Sequence, residues 1–274
     1  MNQNPFNLYD FLGYLIPGIL FLNLFKLTGF YEVDLFNLLK IGELDWVYYT
    51  TLIVIAYVSG HILAIISSRT IEDYHIWLNG YPSKNIFVEN HDKGKVRLYL
   101  GLVLILIFPI FIIDRVSRFM FNYSSKTLDS SLNKIVLKKL VLFFKKIDKK
   151  ASNEIRTSKY LCNELFRYIY HYANENFKEH NSKFQNYVAL YGFSRSMSFL
   201  FCLLVDLELI FVFYRIVKCE KIPSSNLALL FISLIGGYIF YLSYAKFFRR
   251  FSQEVIMAFA ANYEIGKRKS ETQP

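Results

Sequence analysis

Five runs of apolar residues, separated by polar segments, organise the chain. Each run approaches the roughly 20 residues needed to cross a hydrocarbon core about 30 Å thick. The runs are Phe11 to Phe25, Trp46 to Ser68, Leu98 to Ile113, Ser196 to Val217 and Asn226 to Phe248. Pro17 and Gly18 weaken a helix in the first run, which either spans the bilayer or forms a kinked, re-entrant or interfacial helix. The pattern predicts an all-α membrane protein with four or five transmembrane helices.

A long polar segment separates the third run from the fourth, and it is too patterned for a connector. Residues 134–150 have the period of a basic amphipathic helix, which suits a membrane surface where each lysine contributes about 1 kcal/mol near anionic lipid. Its predicted apolar face consists of Leu137, Leu140, Val141, Phe144 and Ile147. An aromatic-rich helix is predicted to follow, from about Ser158 to Tyr191.

These patterns predict four parts of the chain. They are N-terminal membrane helices in residues 1–121, a cytoplasmic helical insert in 122–195, a transmembrane hairpin in 196–248, and a cytoplasmic tail in 249–274. The end of the tail, from Lys267 to Pro274, is expected to be disordered.

The net charge of +10 is unevenly distributed, and its distribution predicts the orientation in the membrane. Fourteen Lys and Arg residues lie between Asn122 and Arg195 and six follow from Lys246, against five in residues 69–97 and two in residues 218–221. Cytoplasmic loops carry the excess of Lys and Arg. Alternating spans therefore place the insert and the C-terminus in the cytoplasm and residues 69–97 on the opposite side of an inner membrane. Since the N-terminus lacks the basic segment of a signal peptide, the first run is expected to stay in the mature protein.

Composition agrees with a lipid environment and gives no sign of an enzyme. Apolar residues make up 54% of the chain and include 27 Phe and 21 Tyr, more than a soluble domain of 274 residues readily buries. The three cysteines form no CxxC pair, the five histidines have no metal-ligand spacing, and no zincin, nucleophile-elbow or P-loop motif occurs. We therefore expect no enzymatic activity, no metal site and no cofactor.

Two acids stand inside the fourth run. Each of Asp206 and Glu208 costs about 2.5 to 3.5 kcal/mol at mid-bilayer, so both should face protein or water. Being two residues apart on a helix, they point in nearly opposite directions. His61 in the second run and Arg215 two turns further on are candidate partners. An ion path and a purely structural bridge both remain open for these acids.

The insert also mixes cations with aromatic rings, which is how single-stranded nucleic acid is commonly held. The candidate ligand-binding residues are Lys159, Tyr160, Arg167, Tyr168, Tyr170, His171, Tyr172, Lys183, Tyr187 and Arg195. The competing interpretation is that the rings form a helical core and the cations meet lipid headgroups.

Three short features have specific geometry. Gly80 to Ser83 predicts a fixed turn. Gly192 can break the helix beside Arg195 and provide a hinge, although a plain interfacial anchor explains that segment equally well. Gly236 and Gly237 allow another helix to approach closely.

The stretches YVSGH (Tyr57 to His61), GYPSKN (Gly80 to Asn85) and YGFSRSMS (Tyr191 to Ser198), with the overall layout, resemble membrane effectors of bacterial anti-phage defence. The chain is most similar to the channel component of the Hailong system. The resemblance implies a homo-tetrameric channel gated by short single-stranded oligodeoxyadenylate, which a partner nucleotidyltransferase makes. It also implies that opening depolarises the cell.

Two hypotheses follow. In the first, the protein is a homo-oligomeric channel gated by a nucleotide or oligonucleotide at the cytoplasmic helices, with Asp206 or Glu208 favouring cations in the pore. In the second, it is a non-conducting scaffold that recruits a cytosolic partner protein to the inner leaflet. A transporter is disfavoured because no inverted repeat is visible.

Overall fold

The computed structural model describes residues 10–27, 45–88, 99–121 and 127–263. Helices contain 90% of these residues, and no strand occurs among them, which confirms the all-α class. Helical stretches long and apolar enough to cross a membrane are Tyr49–Asn85, Lys178–Val217 and Ser224–Asn262, and Phe11–Leu24 is a shorter apolar helix.

The helices are numbered in chain order. They are α1 (Ile16–Leu27), α2 (Asp45–Ser67), α3 (Asp73–Asn79), α4 (Pro82–Asn85), α5 (Tyr99–Leu106), α6 (Phe108–Phe121), α7 (Ser130–Ile147), α8 (Lys149–Ser158), α9 (Asn163–Asn176), α10 (Asn181–Val217) and α11 (Ser224–Asn262). Single wide π-helical turns precede α1 (Phe11–Leu15) and follow α2 (Ser68–Glu72), and a short 3₁₀ turn (Lys178–His180) precedes α10.

The chain divides into two compact units. The first, called the membrane unit, comprises Met1–Trp77, Lys95–Tyr123 and Val188–Phe247. The second, called the helical unit, comprises Leu78–Gly94, Ser124–Tyr187 and Phe248–Pro274. The helical unit thus contains the predicted insert up to Tyr187, together with two segments that the sequence assigned elsewhere.

Glycines bring helices of the membrane unit into backbone contact. A Cβ atom built on Gly18 of α1 would lie 1.8 Å from the carbonyl oxygen of Ala56, and one built on Gly60 of α2 would lie 1.9 Å from that of Tyr14. Pro17, which lacks an N–H donor, explains the wide turn just before it. The first apolar run is therefore a helix held tightly against α2.

A second glycine contact joins α10 to α11. Cβ atoms built on Gly236 and Gly237 would come within 3.1 and 3.3 Å of the Phe201 side chain. The Ser198 hydroxyl, fully buried, donates a hydrogen bond to the Gly237 carbonyl at 2.9 Å. These contacts confirm the close helix approach predicted at this glycine pair.

The third apolar run, expected to be one straight span, forms α5 and α6, which meet at Ile107. Pro109 interrupts the helical hydrogen bonds there because it has no amide hydrogen. Helix α6 continues past the expected end at Asp114. That acid is only 2% exposed and accepts a hydrogen bond from the Tyr74 hydroxyl at 3.0 Å.

The basic helix α7 packs inside the helical unit with only part of the predicted apolar face buried: Leu140 and Phe144 are buried, Leu137 and Val141 are half-buried, and Ile147 is exposed. Its buried residues are Val136, Leu140, Phe143 and Phe144. The Phe143 ring meets those of Tyr172, Phe259 and Tyr263 at 4.8, 5.1 and 5.3 Å between centroids. Aromatic side chains of the same unit therefore pack on Phe143, which lies beside the predicted apolar face.

The single helix predicted from Ser158 to Tyr191 is also wrong, because α9 ends at Asn176 and α10 begins at Asn181. Asparagine side chains compete with the helical hydrogen bonds at this break. The side-chain amide of Asn176 donates to the Tyr172 carbonyl, and that of Asn181 donates to the Asn174 carbonyl.

Ile86 and Phe87 belong to the loop that strict alternation put opposite the insert, yet they contact the insert. Within the helical unit, the Leu128 amide donates to the Ile86 carbonyl at 2.9 Å, and the Asn133 side chain donates to the Phe87 carbonyl at 3.0 Å. The turn predicted at Gly80 to Ser83 is confirmed, since Gly80 has a φ of 73° and Pro82 begins α4.

The predicted break at Gly192 is absent, since α10 runs without interruption from Asn181 to Val217. Gly192 is buried, so packing holds the helical conformation there. Helix α11 extends to Asn262, well into the predicted tail. The disorder predicted for Lys267 to Pro274 concerns positions outside the described residues.

Candidate functional site

The acids of the fourth apolar run occupy different surroundings. Glu208 is fully buried, and its Oε2 accepts a hydrogen bond from the Asn226 side chain at 3.1 Å. Its Oε1 and the Oδ1 of Asp206 are buried without a hydrogen-bond partner in the described part of the chain. Unpaired polar atoms inside an apolar helix bundle are costly, so these oxygens are the clearest candidates for contact with water or an ion.

The predicted partners of these acids lie elsewhere. Arg215 forms an ion pair with Glu220 and stacks on the Phe211 ring rather than reaching Glu208, because Glu220 follows it at the helix end. His61 stacks on Tyr14 at 3.7 Å between ring centroids and meets Tyr57 edge-on at 4.6 Å. Over the residues that the structure describes, it makes no hydrogen bond with either acid.

Three of the tyrosines predicted to bind a ligand pack against other aromatic rings of the helical unit and are half-buried or exposed. Tyr172 packs on Phe143 and Phe259, Tyr170 packs on Phe184 and Phe251, and Tyr168 leans on Phe143 and Phe144 with nearly half its surface exposed. Burial raises the pKa of Tyr172 above its usual range, and the nearby Tyr263 and Tyr168 phenols raise it further.

The remaining candidates are scattered. Lys183 pairs with Glu254 at 3.5 Å, and Arg167 and His171 are exposed while Tyr187 is partly buried. The Lys84 ammonium lies over the Tyr160 ring, 5.0 Å from the ring centroid. Arg195 belongs to the membrane unit, where it pairs with Glu72. Of the predicted set, Lys159 alone lines the basic cleft described next.

That cleft, called the basic cleft, has a volume of about 430 Å³ and opens between α7 and α8 of the helical unit. Its cations are Lys138, Lys145, Lys149, Arg156 and Lys159. The other lining residues are Leu137, Val141, Leu142, Ser152, Asn153 and Ile155. No acid lines the cleft, so a rim of positive charge surrounds an apolar floor. This combination suits an anion that also has an apolar or planar part.

Local sequence explains how the cleft forms. Asp148 ends α7 and begins α8, accepting hydrogen bonds from the Lys150 and Ala151 amides at 2.8 and 3.3 Å. Lys159 ends α8 in the left-handed conformation, with a φ of 59°. Sequence analysis missed Lys138, Lys145, Lys149 and Arg156. The available signal was their seven-residue spacing within each helix, which places each pair on one face.

Several polar pairs in the membrane unit were also missed. They are the half-buried ion pair of Arg195 with Glu72, the Tyr74 hydroxyl bonded to Asp114, and the His75 ring 3.3 Å from the Tyr241 hydroxyl. These partners are far apart in sequence, with 123 positions between Glu72 and Arg195. No periodic pattern can reveal such pairs.

No group of three His, Cys, Asp or Glu residues that could hold a metal occurs within residues 10–27, 45–88, 99–121 and 127–263. In comparison with known proteins, the chain matches no family model, no curated protein and no solved structure. The class that fold and composition define is therefore an all-helical protein with candidate membrane-spanning helices and a basic helical unit.

Proposed function

We propose that this protein is a homo-oligomeric, ligand-gated ion channel of the inner membrane, opened by a nucleotide or short oligonucleotide in the basic cleft. The cleft carries the proposal, because five cations around an apolar floor offer phosphate neutralisation together with a surface for a base. We therefore place the ligand on α7 and α8 rather than on the aromatic residues, several of which pack against other rings.

The proposed topology has three crossings, made by α2, α10 and α11. It places all of the helical unit in the cytoplasm, including the segment of residues 78–88 that contacts the insert. Residues 69–97 then add their five cations to the inner side, which strengthens the charge bias that orients the protein. In this topology α5 and α6 enter the membrane without completing a crossing.

Helix α10 supports the proposed coupling between ligand and pore. It begins at Asn181 among residues of the helical unit and includes Asp206 and Glu208 without a break. An unbroken helix transmits a rotation or shift more directly than a hinge at Gly192 would. We assign the cation-attracting role to Asp206, since Glu208 already accepts a hydrogen bond from Asn226.

The resemblance to defence channels extends the proposal. By analogy, the subunits form a tetramer, a partner nucleotidyltransferase supplies the ligand, and opening depolarises an infected cell. The scaffold hypothesis remains the alternative. The hydrogen bond between Glu208 and Asn226 supports it, because that bond gives the buried Glu208 a structural role.

Ion flux from proteoliposomes tests the proposal. Short oligodeoxyadenylate should start cation flux in the wild type, and K145Q/K149Q should reduce the apparent ligand affinity about tenfold or more at low salt. K134Q/K150Q is the matched control, because both residues are exposed on the same helices outside the cleft lining. Ligand-dependent flux that K145Q/K149Q leaves unchanged would exclude the cleft as the site.

Asp206→Asn and Glu208→Gln separate channel from scaffold. A channel requires D206N to change conductance or cation selectivity, with a smaller effect from E208Q. Absence of any flux under all ligand conditions, with membrane recruitment of a partner protein intact in both variants, would support the scaffold instead.

A further inference from the structure

A second hollow, in the membrane unit, carries an inference that does not depend on channel activity. It has a volume of about 350 Å³, and its polar lining residues include Tyr14, His61, Ser68, Arg69 and Arg195. These residues come from the turn before α1, from α2 and its π-helical extension, and from α10. The hollow therefore lies where three membrane-unit elements meet.

The hollow has an excess of positive charge. One guanidinium nitrogen of Arg195 donates to Glu72 and the other to the Ala64 carbonyl at 3.4 Å. The Arg195 Nε is buried without a hydrogen-bond partner among the described residues. Arg69 is exposed and forms no ion pair within that part of the chain. The described lining thus holds two arginines and no acid; Glu72 pairs with one arginine, and nearby Asp10 is bonded to Tyr57. An unsatisfied buried donor is left for an anion.

An apolar stripe leads along α2 to this hollow. Val58, Ile62 and Ile65 lie on successive turns and are exposed, with Ile65 at 66%. Arg69 stands one turn beyond Ile65 on the same face. An apolar track that ends at a pair of arginines matches a molecule with hydrocarbon chains and a charged phosphate. Basic pockets between membrane helices are recognised sites for anionic headgroups.

We infer that this hollow binds the phosphate of an anionic phospholipid, whose acyl chains lie along the Val58, Ile62 and Ile65 stripe. The guanidinium of Arg69 and the Nε of Arg195 donate hydrogen bonds to the phosphate oxygens. Bound lipid would hold the turn before α1 against α2 and α10. The excess positive charge favours phosphatidylglycerol over phosphatidylcholine, because the choline cation would meet the arginines.

Native mass spectrometry of the full chain tests this inference, after reconstitution with equal amounts of phosphatidylglycerol and phosphatidylcholine. The wild type should retain phosphatidylglycerol in preference, and Arg69→Gln should reduce that retention about tenfold through loss of a charge-assisted hydrogen bond. Ser68→Asp, which adds a negative charge to the hollow, should reduce it as well. Arg115→Gln is the control, since Arg115 is an exposed arginine of the same unit outside the hollow.

Four results would overturn the inference. Equal retention of the two lipids in the wild type would remove the charge argument. Retention that R69Q and S68D leave intact would place the lipid elsewhere. If millimolar inorganic phosphate displaced the lipid and stabilised the protein as well as the lipid does, the hollow would be a free-phosphate site. If Ile62→Cys formed disulfide cross-links between copies, and R69Q left phosphatidylglycerol retention unchanged, the stripe would be a subunit interface.

Discussion

The membrane unit and the helical unit use the same residue types in opposite ways. In the membrane unit, large apolar side chains such as Ile53, Ile65 and Phe213 are exposed, whereas Glu208 and Asp114 are buried. In the helical unit, most aromatic rings are buried or half-buried and the cations lie on the surface or around a cleft. The difference indicates two solvents. Lipid accepts apolar side chains and excludes charge, and water does the reverse.

Close packing also differs between the two units. The membrane unit brings backbones together at glycines, as expected where lipid removes the hydrophobic force between helices. The helical unit instead fills its core with large rings, whose burial stabilises the unit. Substitutions at tightly packed positions should therefore destabilise the two units for different reasons: a backbone clash in the membrane unit and a cavity in the helical unit.

Gly60→Leu should have the largest effect. A Cβ at this position would lie 1.9 Å from the Tyr14 carbonyl oxygen, so the backbone of the α1 region must move away. We expect loss of monodisperse protein in detergent, or a destabilisation above about 4 kcal/mol, which is exceptional for one substitution. Thermal unfolding followed by size-exclusion chromatography measures it.

Gly101→Ala is the matched control, because a Cβ there meets nothing within 4 Å. It should be neutral or stabilising by up to about 1 kcal/mol, as alanine favours helix over glycine. Similar melting of G60L and wild type would mean that α1 does not pack on α2 as described.

Phe143→Ala should have the next largest effect, confined to the helical unit. The ring is 6% exposed and contacts Tyr172, Phe259 and Tyr263, so its loss leaves a cavity. The expected cost is about 3 to 5 kcal/mol. Limited proteolysis and near-UV circular dichroism measure the change. Ile135→Ala on the same helix, where the side chain is 55% exposed, should cost much less. Equal costs would contradict the aromatic core.

The sequence was sufficient for the features that depend on local pattern. Apolar length predicted the candidate membrane-spanning helices α2, α10 and α11, and the Gly80 turn and the Gly236 contact followed from what glycine permits. Periodicity also located the amphipathic character of α7. It could not tell whether lipid or protein covers that face, because both are apolar.

Features that depend on distant partners were not predictable. The Arg195 and Glu72 pair joins segments 123 positions apart, and Phe143 meets a C-terminal segment through Phe259 and Tyr263. The basic cleft depends on the turn at Asp148, which folds α8 back against α7. The aromatic residues of the insert suggested a ligand site because the sequence shows which residues are present. It does not show how deeply each of them is buried.

The smallest expected effect is a pH dependence at Tyr172, which sharpens the same contrast between core and surface. The unfolded phenol titrates near pH 10, and burial raises its pKa in the folded unit. Stability from the neutral phenol is fully present below about pH 10 and is lost as the pH rises through the raised pKa.

Between pH 9 and pH 11, the wild type should therefore lose more stability than Tyr172→Phe, which keeps the ring. Phe177→Leu, which alters a contact of Tyr172 without removing its phenol, should lose as much as the wild type over that interval. If Y172F and F177L respond equally to pH in thermal melts, the Tyr172 hydroxyl is not part of the buried core.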